Sequence, residues 1–381
     1  MTGREQTLVL YSRLAFYPVH YLALEEIVRR YAARAVVLAP AAPADLPTVH
    51  QAHGTADPDA MTRLPISVRR VPPGSRGSRL AWVARQLRDV RPDAIWVQEE
   101  PIDPFLLEML ALYRFRGRPR IVTAVCENIF PRPRRLAERT ARRLLWPRLD
   151  HLITVARPSL DGIRAAGMPR GVPASTLVAG GLEPESEVAP LELPFARDGD
   201  FVVGFAGRIV PQKGWRVLVD AVSSLEGVHA VFAGDGSERA ALEKVAADEP
   251  RIHYLGLLPK GELWSFYAAL DCLAVPSLTT ERWKEQSAST LVDGLVMGLP
   301  IVASNSGGIP DMMGPAGLLV SEGDPKALAA AIARLREEVP LRTELAALGR
   351  ERFRREFAIP VYADKIAASL NLHVRSVALS P

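Results

Sequence analysis

The sequence predicts an α/β protein made of two doubly wound domains. Three observations predict it. Short apolar runs of strand length alternate with stretches of helical period through the first half of the chain. The alternation lapses over residues 183 to 200, EPESEVAPLELPFARDGD, and starts again at Phe201. The length, 381 residues, is enough for two such domains. Strands that alternate with helices imply a parallel sheet covered on both faces. Such sheets bind ligands outside the carboxyl ends of their strands.

In the first half the strand candidates are Leu8 to Tyr11, Ala35 to Leu38, Ala94 to Val97, Ile121 to Val125 and His151 to Val155. Helical patterns fall at Tyr21 to Tyr31 and Arg79 to Asp89. Residues 41 to 62, rich in Pro, Ala, Asp and His, read as a loop, and VPPGSRGS at 71 to 78 reads as a mobile turn. The proline-containing stretch after residue 185 lacks periodicity and is expected to be an interdomain linker, residues 186–200. Phe201 to Ala206 opens the second domain as a strand. Leu218, Ala221, Val222 and Leu225 then follow the i, i+3, i+4, i+7 spacing of a helix face. Val228 to Ala233 is a strand ending in a Gly-Asp-Gly turn. Leu263, Phe266, Tyr267 and Leu270 repeat the helical spacing, and Cys272 to Val275 and Ile301 to Ala303 are short strands. Asp324-Pro325 reads as an N-cap followed by proline in the first turn, opening a helix to about Glu338. A last helix spans about Val361 to Leu372. The expected organisation is 1–185, linker 186–200, a domain at 201–360, and a C-terminal helix and tail at 361–381 that packs back on the first domain.

Composition narrows the functional classes. A hydrophobic fraction of 48%, a charged fraction of 24% and a net charge of +4 describe an ordinary globular protein and give no sign of nucleic-acid binding. The two cysteines, Cys126 and Cys272, are far apart, which argues against a disulfide framework or a zinc motif. No signal peptide and no apolar run of about 18 residues is evident, so a cytoplasmic location is expected.

The chemistry concentrates in TERWKEQSASTLVDGLVMGLPIVASNSGGIPD, residues 280 to 311. Glu285 and Asp293 stand eight apart across a loop-to-helix junction. Asp293 lies in the otherwise apolar LVDGLVM, where a carboxylate needs a partner or solvent. Gly307-Gly308 follows a strand, and two glycines let a backbone approach a ligand closely. Upstream, Arg208 and Lys213 follow the strand FVVGFA at a helix start, where anions are already favoured. Arg adds a fork that matches phosphate oxygens, and Lys adds a compact charge. Each feature alone also fits a surface turn or a solvated charge. In order along the chain, they suit a sugar nucleotide, with cations at the phosphates and a carboxylate at each end.

With those pieces in place, residues 201 to 360 resemble the donor-binding domain of the retaining GT-B glycosyltransferases of the GT4 family. The segments that carry the resemblance are GFAGRIVPQKG, VFAGDGSE, HYLGLLPK, LDCLAVPSLTTERWKEQ, TLVDGLVMGLPIVAS, SGGIPD and AGLLVSEGD, in the family's order and spacing. The resemblance implies a GT-B fold of two Rossmann-like domains facing a cleft. It further implies retaining transfer of a sugar from a nucleoside diphosphate sugar, UDP or GDP, to an acceptor hydroxyl, without a metal or other cofactor. By position, Arg208 and Lys213 would neutralise the donor diphosphate. Glu285 would contact the donor sugar as the first residue of the family's E-x7-E motif, and Asp293 would bind ribose hydroxyls. Ser287, Ala288 and Thr290 would complete the donor pocket, and Leu257 lies in the segment that borders the base. Catalysis would rest on Glu285, Arg208 and Lys213.

This chain departs from the family pattern at three places. Asp293 replaces the second glutamate, Ser287-Ala288 stands where Phe-Gly is usual, and FYPVHY lacks the Gly-Gly that usually follows the first strand. These leave the donor's identity open. On the acceptor side, QEEP at 98 to 101 and TAVCENIFPRPRR at 123 to 135 fall where the resemblance places acceptor-side and cleft residues, and His20, Glu127 and Asn128 are the candidates. Eleven arginines against two glutamates between Arg114 and Arg148 suit a solvated helix face, an anionic membrane surface or a phosphorylated acceptor, the first being favoured. The expected partners are a nucleotide-sugar donor and a hydroxylated small molecule, glycan or lipid-linked acceptor, with no nucleic acid. A sugar-nucleotide epimerase, a phosphorylase, or a silent nucleotide-binding homologue would share the same pattern.

Overall fold

The computed structural model describes residues 5–12, 17–31, 33–39, 65–98, 106–107, 109–110, 119–125, 136–178, 180–195, 199–281 and 283–374. The chain divides into two compact units, Met1–Gly180 with Ile359–Pro381, and Gly181–Ala358.

The first unit begins with strand β1 (Gln6–Ser12), buried along nearly its whole length. Such continuous burial belongs to a strand covered on both faces. Helix α1 (Pro18–Arg30) follows, with proline in its first turn and Ala23, Leu24, Ile27 and Val28 on its buried face. Strands β2 (Ala33–Ala39) and β3 (Ile66–Arg70), helix α2 (Arg76–Val90), and strands β4 (Ala94–Gln98) and β5 (Arg120–Val125) come next. Helix α3 (Leu136–Leu145), strand β6 (His151–Thr154), helix α4 (Arg157–Ala165) and strand β7 (Ala174–Thr176) complete the main run. All the pairs are parallel, in the order β3-β2-β1-β4-β5-β6-β7. One strand is not anticipated and one expectation changes here. The short ISVRR of β3 carries too little apolar pattern to read as a strand, yet it pairs with β2 from Ala35↔Ile66 to Ala39↔Arg70. The presumed turn at 71 to 78 ends inside α2, because Ser75 caps that helix by accepting the Ser78 N–H.

The second unit is better marked by its sequence. Strand β8 (Phe201–Ala206) is followed by helix α5 (Trp215–Ser223), strand β9 (Val228–Ala233), helix α6 (Arg239–Asp248) and strand β10 (Ile252–Gly256). Helix α7 (Lys260–Ala268), strand β11 (Cys272–Val275), helix α8 (Ser289–Met297) and strand β12 (Ile301–Ser304) follow. Helix α9 (Ile309–Met313), strand β13 (Gly317–Val320), and helices α10 (Pro325–Glu337) and α11 (Val339–Arg352) close the unit. The sheet is again all parallel, in the order β10-β9-β8-β11-β12-β13. The Asp324 carboxylate caps α10 by accepting the Ala327 N–H at 2.9 Å.

Residues 186–200 lie within this second unit. Leu191 N–H donates to the Ser265 carbonyl at 2.8 Å, and the Phe195 ring stacks on His253. A segment without helical or strand period can still dock through single side chains. Helix α12 (Ile359–Leu370) belongs to the first unit. Its Tyr362, Ala363, Ile366 and Ala367 share a core with Leu24 and Ile27 of α1, and Tyr31 Oη donates to Asp364 at 2.7 Å.

Candidate active site

In each sheet the strand order reverses between two neighbours, β1 and β4 in the first unit, β8 and β11 in the second. In the second unit the loops that leave β8 and β11 carry most of the residues singled out in the sequence. Main-chain contacts join the two loops. Leu278 N–H donates to the Gln212 carbonyl at 2.8 Å. Gly214 sits at φ 69°, and a Cβ there would overlap the Pro276 carbonyl oxygen. Only glycine satisfies both the left-handed conformation and the close approach.

These loops bring Lys213 and Glu285 together. Lys213 Nζ lies 2.7 Å from Glu285 Oε2, with the two side chains 17% and 4% exposed. The Ser277 hydroxyl donates to the same carboxylate oxygen at 2.6 Å. Nζ also lies 5.3 Å from the centre of the Trp283 ring, a cation–π distance. The Glu285 main chain is seated by the glycine loop, where Gly308 N–H donates to the Glu285 carbonyl at 2.9 Å. A Cβ at Gly307, φ 52°, would overlap that carbonyl oxygen. The close approach expected of Gly307-Gly308 is therefore made to the Glu285 backbone. Below this point Thr279 is clamped by Glu322, its N–H and hydroxyl donating to that carboxylate at 2.6 and 2.7 Å.

Asp293 sits one turn into α8, three residues after Thr290, so the two share a helix face. Tyr267 of α7, fully buried, places its hydroxyl 3.1 Å from both Thr290 Oγ1 and Asp293 Oδ2. Burial first, and then the Asp293 charge, push this phenol well above its ordinary pKa, so it stays a donor. Arg208 differs from Lys213. It is exposed, and its guanidinium makes no hydrogen bond or ion pair among the described residues. Ser287 is half-buried, and Ala288 is buried in extended conformation at the start of α8, which has no side-chain cap. Leu257, just past β10, is 53% exposed, an apolar side chain open to a ligand.

Of the acceptor-side candidates, His20 lies in the first turn of α1, with Nδ1 2.9 Å from Gln98 Nε2. Burial lowers its pKa to about 4. Glu127 and Asn128 lie outside the described residues. The sequence assigns no individual role to Ser277, Trp283, Tyr267 or Gln98, although Ser277 and Trp283 lie in LDCLAVPSLTTERWKEQ and Gln98 opens QEEP. In sequence Tyr267 reads only as part of an apolar helix face, although a buried tyrosine hydroxyl usually finds a partner. The other three carried no periodic signal. Among the described residues no cluster of three His, Cys, Asp or Glu could hold a metal ion, and no helix is long and apolar enough to cross a membrane.

A family model described as "Glycosyl transferases group 1" matches residues 200–338, the unit that carries this site. The chain is 32% identical over 191 residues to a 2-deoxystreptamine glucosyltransferase of Streptomyces kanamyceticus, covering 46% of this chain and 48% of that one. It is 30% identical over 306 residues to a 2-deoxystreptamine N-acetyl-D-glucosaminyltransferase of Streptomyces fradiae, covering 70% of each chain. The match to the Streptomyces kanamyceticus enzyme thus spans about half of that relative's length. Among solved structures, Anabaena HepE in complex with UDP aligns at a TM-score of 0.70 and 21% identity, over 96% of this chain and 99% of that one. Its two parallel αβ units, its motif-bearing second unit and a 30% identity sustained over 70% of both chains place this chain in the group 1 (GT4-type) glycosyltransferases of the GT-B fold.

Proposed function

We propose that this chain transfers a sugar from a nucleoside diphosphate sugar to an acceptor hydroxyl with retention of anomeric configuration, and without a metal. The observation that carries the reading is the Lys213–Glu285 ion pair at the point where the strand order of the second sheet reverses. It sets a cation and a buried carboxylate side by side where such sheets bind ligands. The donor diphosphate would lie against Arg208 and the near side of Lys213. Lys213 would then serve two anions, Glu285 and the diphosphate. As the glycosidic bond breaks, negative charge grows on the leaving diphosphate, and the two cations stabilise it. Glu285, held by Ser277 and by its own seated backbone, keeps its carboxylate beside the sugar. Asp293, oriented by Tyr267, would accept from ribose hydroxyls, and exposed Leu257 would border the base.

The donor we assign is a UDP-sugar, as in the Anabaena complex. The acceptor we assign is a small polyhydroxylated ring, since two relatives are named for 2-deoxystreptamine. Incubating the full chain with UDP- and GDP-sugars and such acceptors tests this, with the product's anomeric configuration read by NMR. An inverted product, or activity lost to EDTA and restored by manganese, would overturn the mechanism. Donor conversion without acceptor would mark an epimerase instead.

A further inference from the structure

The carboxyl edge of the first sheet carries a polar chain that the donor chemistry does not use. Ser12 ends β1 and Gln98 ends β4, and the two are partners in register. They therefore sit where the strand order of that sheet reverses, the place where such sheets bind ligands. The Ser12 hydroxyl donates to Gln98 Oε1, and Gln98 Nε2 lies 2.9 Å from His20 Nδ1. An amide nitrogen has only hydrogens to offer, so His20 Nδ1 must be the acceptor. In a neutral ring the proton then resides on Nε2.

The groups that face the imidazole favour the neutral ring. The rings of Tyr17, Trp96 and Tyr362 lie 6.3, 6.3 and 6.5 Å from it, centre to centre, and Gln98 supplies the polar side. No carboxylate contacts the ring among the described residues to favour its charged form. Burial draws its pKa down to about 4, in the same direction. Nε2 has no hydrogen-bond partner among the described residues.

We propose that Gln98 is a positioning residue that locks His20 as a neutral Nε2–H donor to a hydroxyl oxygen of the acceptor. His20 then binds and orients the acceptor and does not take its proton. The inference rests on the transferase reading above. In the transfer step the bond from the anomeric carbon to the diphosphate oxygen breaks and the bond to the acceptor oxygen forms. The acceptor's proton passes to the leaving diphosphate oxygen, and the imidazole is unchanged throughout.

Two-dimensional NMR of the full chain with 15N-labelled histidine tests the lock without reference to activity. The expected spectrum shows a pyridine-like Nδ1 and a protonated Nε2, unchanged down to about pH 5.5. A protonated Nδ1, or an imidazolium at about pH 6, would overturn the proposal. The role is tested by variants. His20→Gln keeps a donor near Nε2 and has no titrating base, whereas His20→Phe has neither. His20→Gln should hold the acceptor KM within about threefold of wild type, and His20→Phe should raise it about tenfold or more. The donor KM should stay unchanged in both. Equal loss of kcat in the two variants, with acceptor KM unmoved, would show that His20 acts otherwise. Gln98→Glu should invert the tautomer, since a carboxylate accepts from Nδ1–H, and should raise acceptor KM with it. If no donor is turned over at all, the transferase reading fails while the histidine spectrum still decides the lock.

Discussion

Lys213→Met separates the two cations that look equivalent in sequence. The lysine is paired at 2.7 Å with a carboxylate that is only 4% exposed. At an effective dielectric of roughly 20 the attraction at this distance is about 6 kcal/mol before desolvation is subtracted. Breaking a buried pair from one side costs about 3–5 kcal/mol, because the remaining charge is left without its partner. The lysine is partly solvated and Ser277 still donates to Glu285, so the lower end applies, about 3 kcal/mol. For a domain of this size that lowers Tm by roughly 6–12 °C. The companion is Lys213→Met with Glu285→Gln, which removes both charges and leaves Ser277 an amide oxygen to donate to. It should recover most of the lost stability, a coupling that a double-mutant cycle reads directly. Differential scanning calorimetry of the four proteins is the assay. A Lys213→Met melt within about 2 °C of wild type would refute the buried-pair reasoning. So would a double variant that melts at the sum of the two single losses. The variant should also lose about tenfold or more in kcat/KM, because a charge-assisted phosphate contact is removed.

Arg208→Ala should do the opposite to stability. It should melt within about 1 °C of wild type, because an exposed guanidinium with no partner among the described residues contributes little, while kcat/KM falls about tenfold or more; unaltered turnover would remove Arg208 from the diphosphate site. Asp293→Asn should chiefly raise the donor KM with kcat held, the signature of contacts equal in ground and transition states. Tyr267→Phe should raise donor KM less, since it unsettles Asp293 without removing it, and a larger effect than Asp293→Asn would reverse the assignment. At acid pH the second unit should weaken through His253. Burial and the adjacent His229 lower the His253 pKa from 6.5 to about 4, so the folded unit prefers the neutral ring. Its contribution is complete above pH 6.5 and is lost as pH falls through that window toward 4. A pH series of melts for His253→Phe against wild type should show this slope flattened, and parallel curves would contradict it.

The alternation of apolar runs with helical spacing was enough to determine two parallel αβ sheets, because the inner strands are buried on both faces and the helices on one; the partly exposed edge strands β3, β7, β10 and β13 carry no such signal. It also placed Arg208, Lys213, Glu285 and Asp293 in the loops and helix starts after specific strands, since those positions follow from chain order alone. Local capping was equally legible, as at Asp324-Pro325. Pairing was not legible. That Lys213 is engaged by Glu285 while Arg208 stays open depends on two loops far apart in sequence, brought together through Gly214, Pro276 and Leu278. The sequence marks no role for Ser277, although it lies in LDCLAVPSLTTERWKEQ, or for Tyr267, and their roles arise because a buried carboxylate and a buried phenol must each find a hydrogen-bond partner wherever the fold supplies one. Gly307-Gly308 reads the same in sequence whether its neighbour is a ligand or the Glu285 backbone. The His20 tautomer depends in the same way on Gln98, which only the pairing of β1 with β4 brings beside Ser12. Periodicity is a property of consecutive residues and survives in the sequence, whereas the partner of a single polar atom is a property of the packed sheet and its loops.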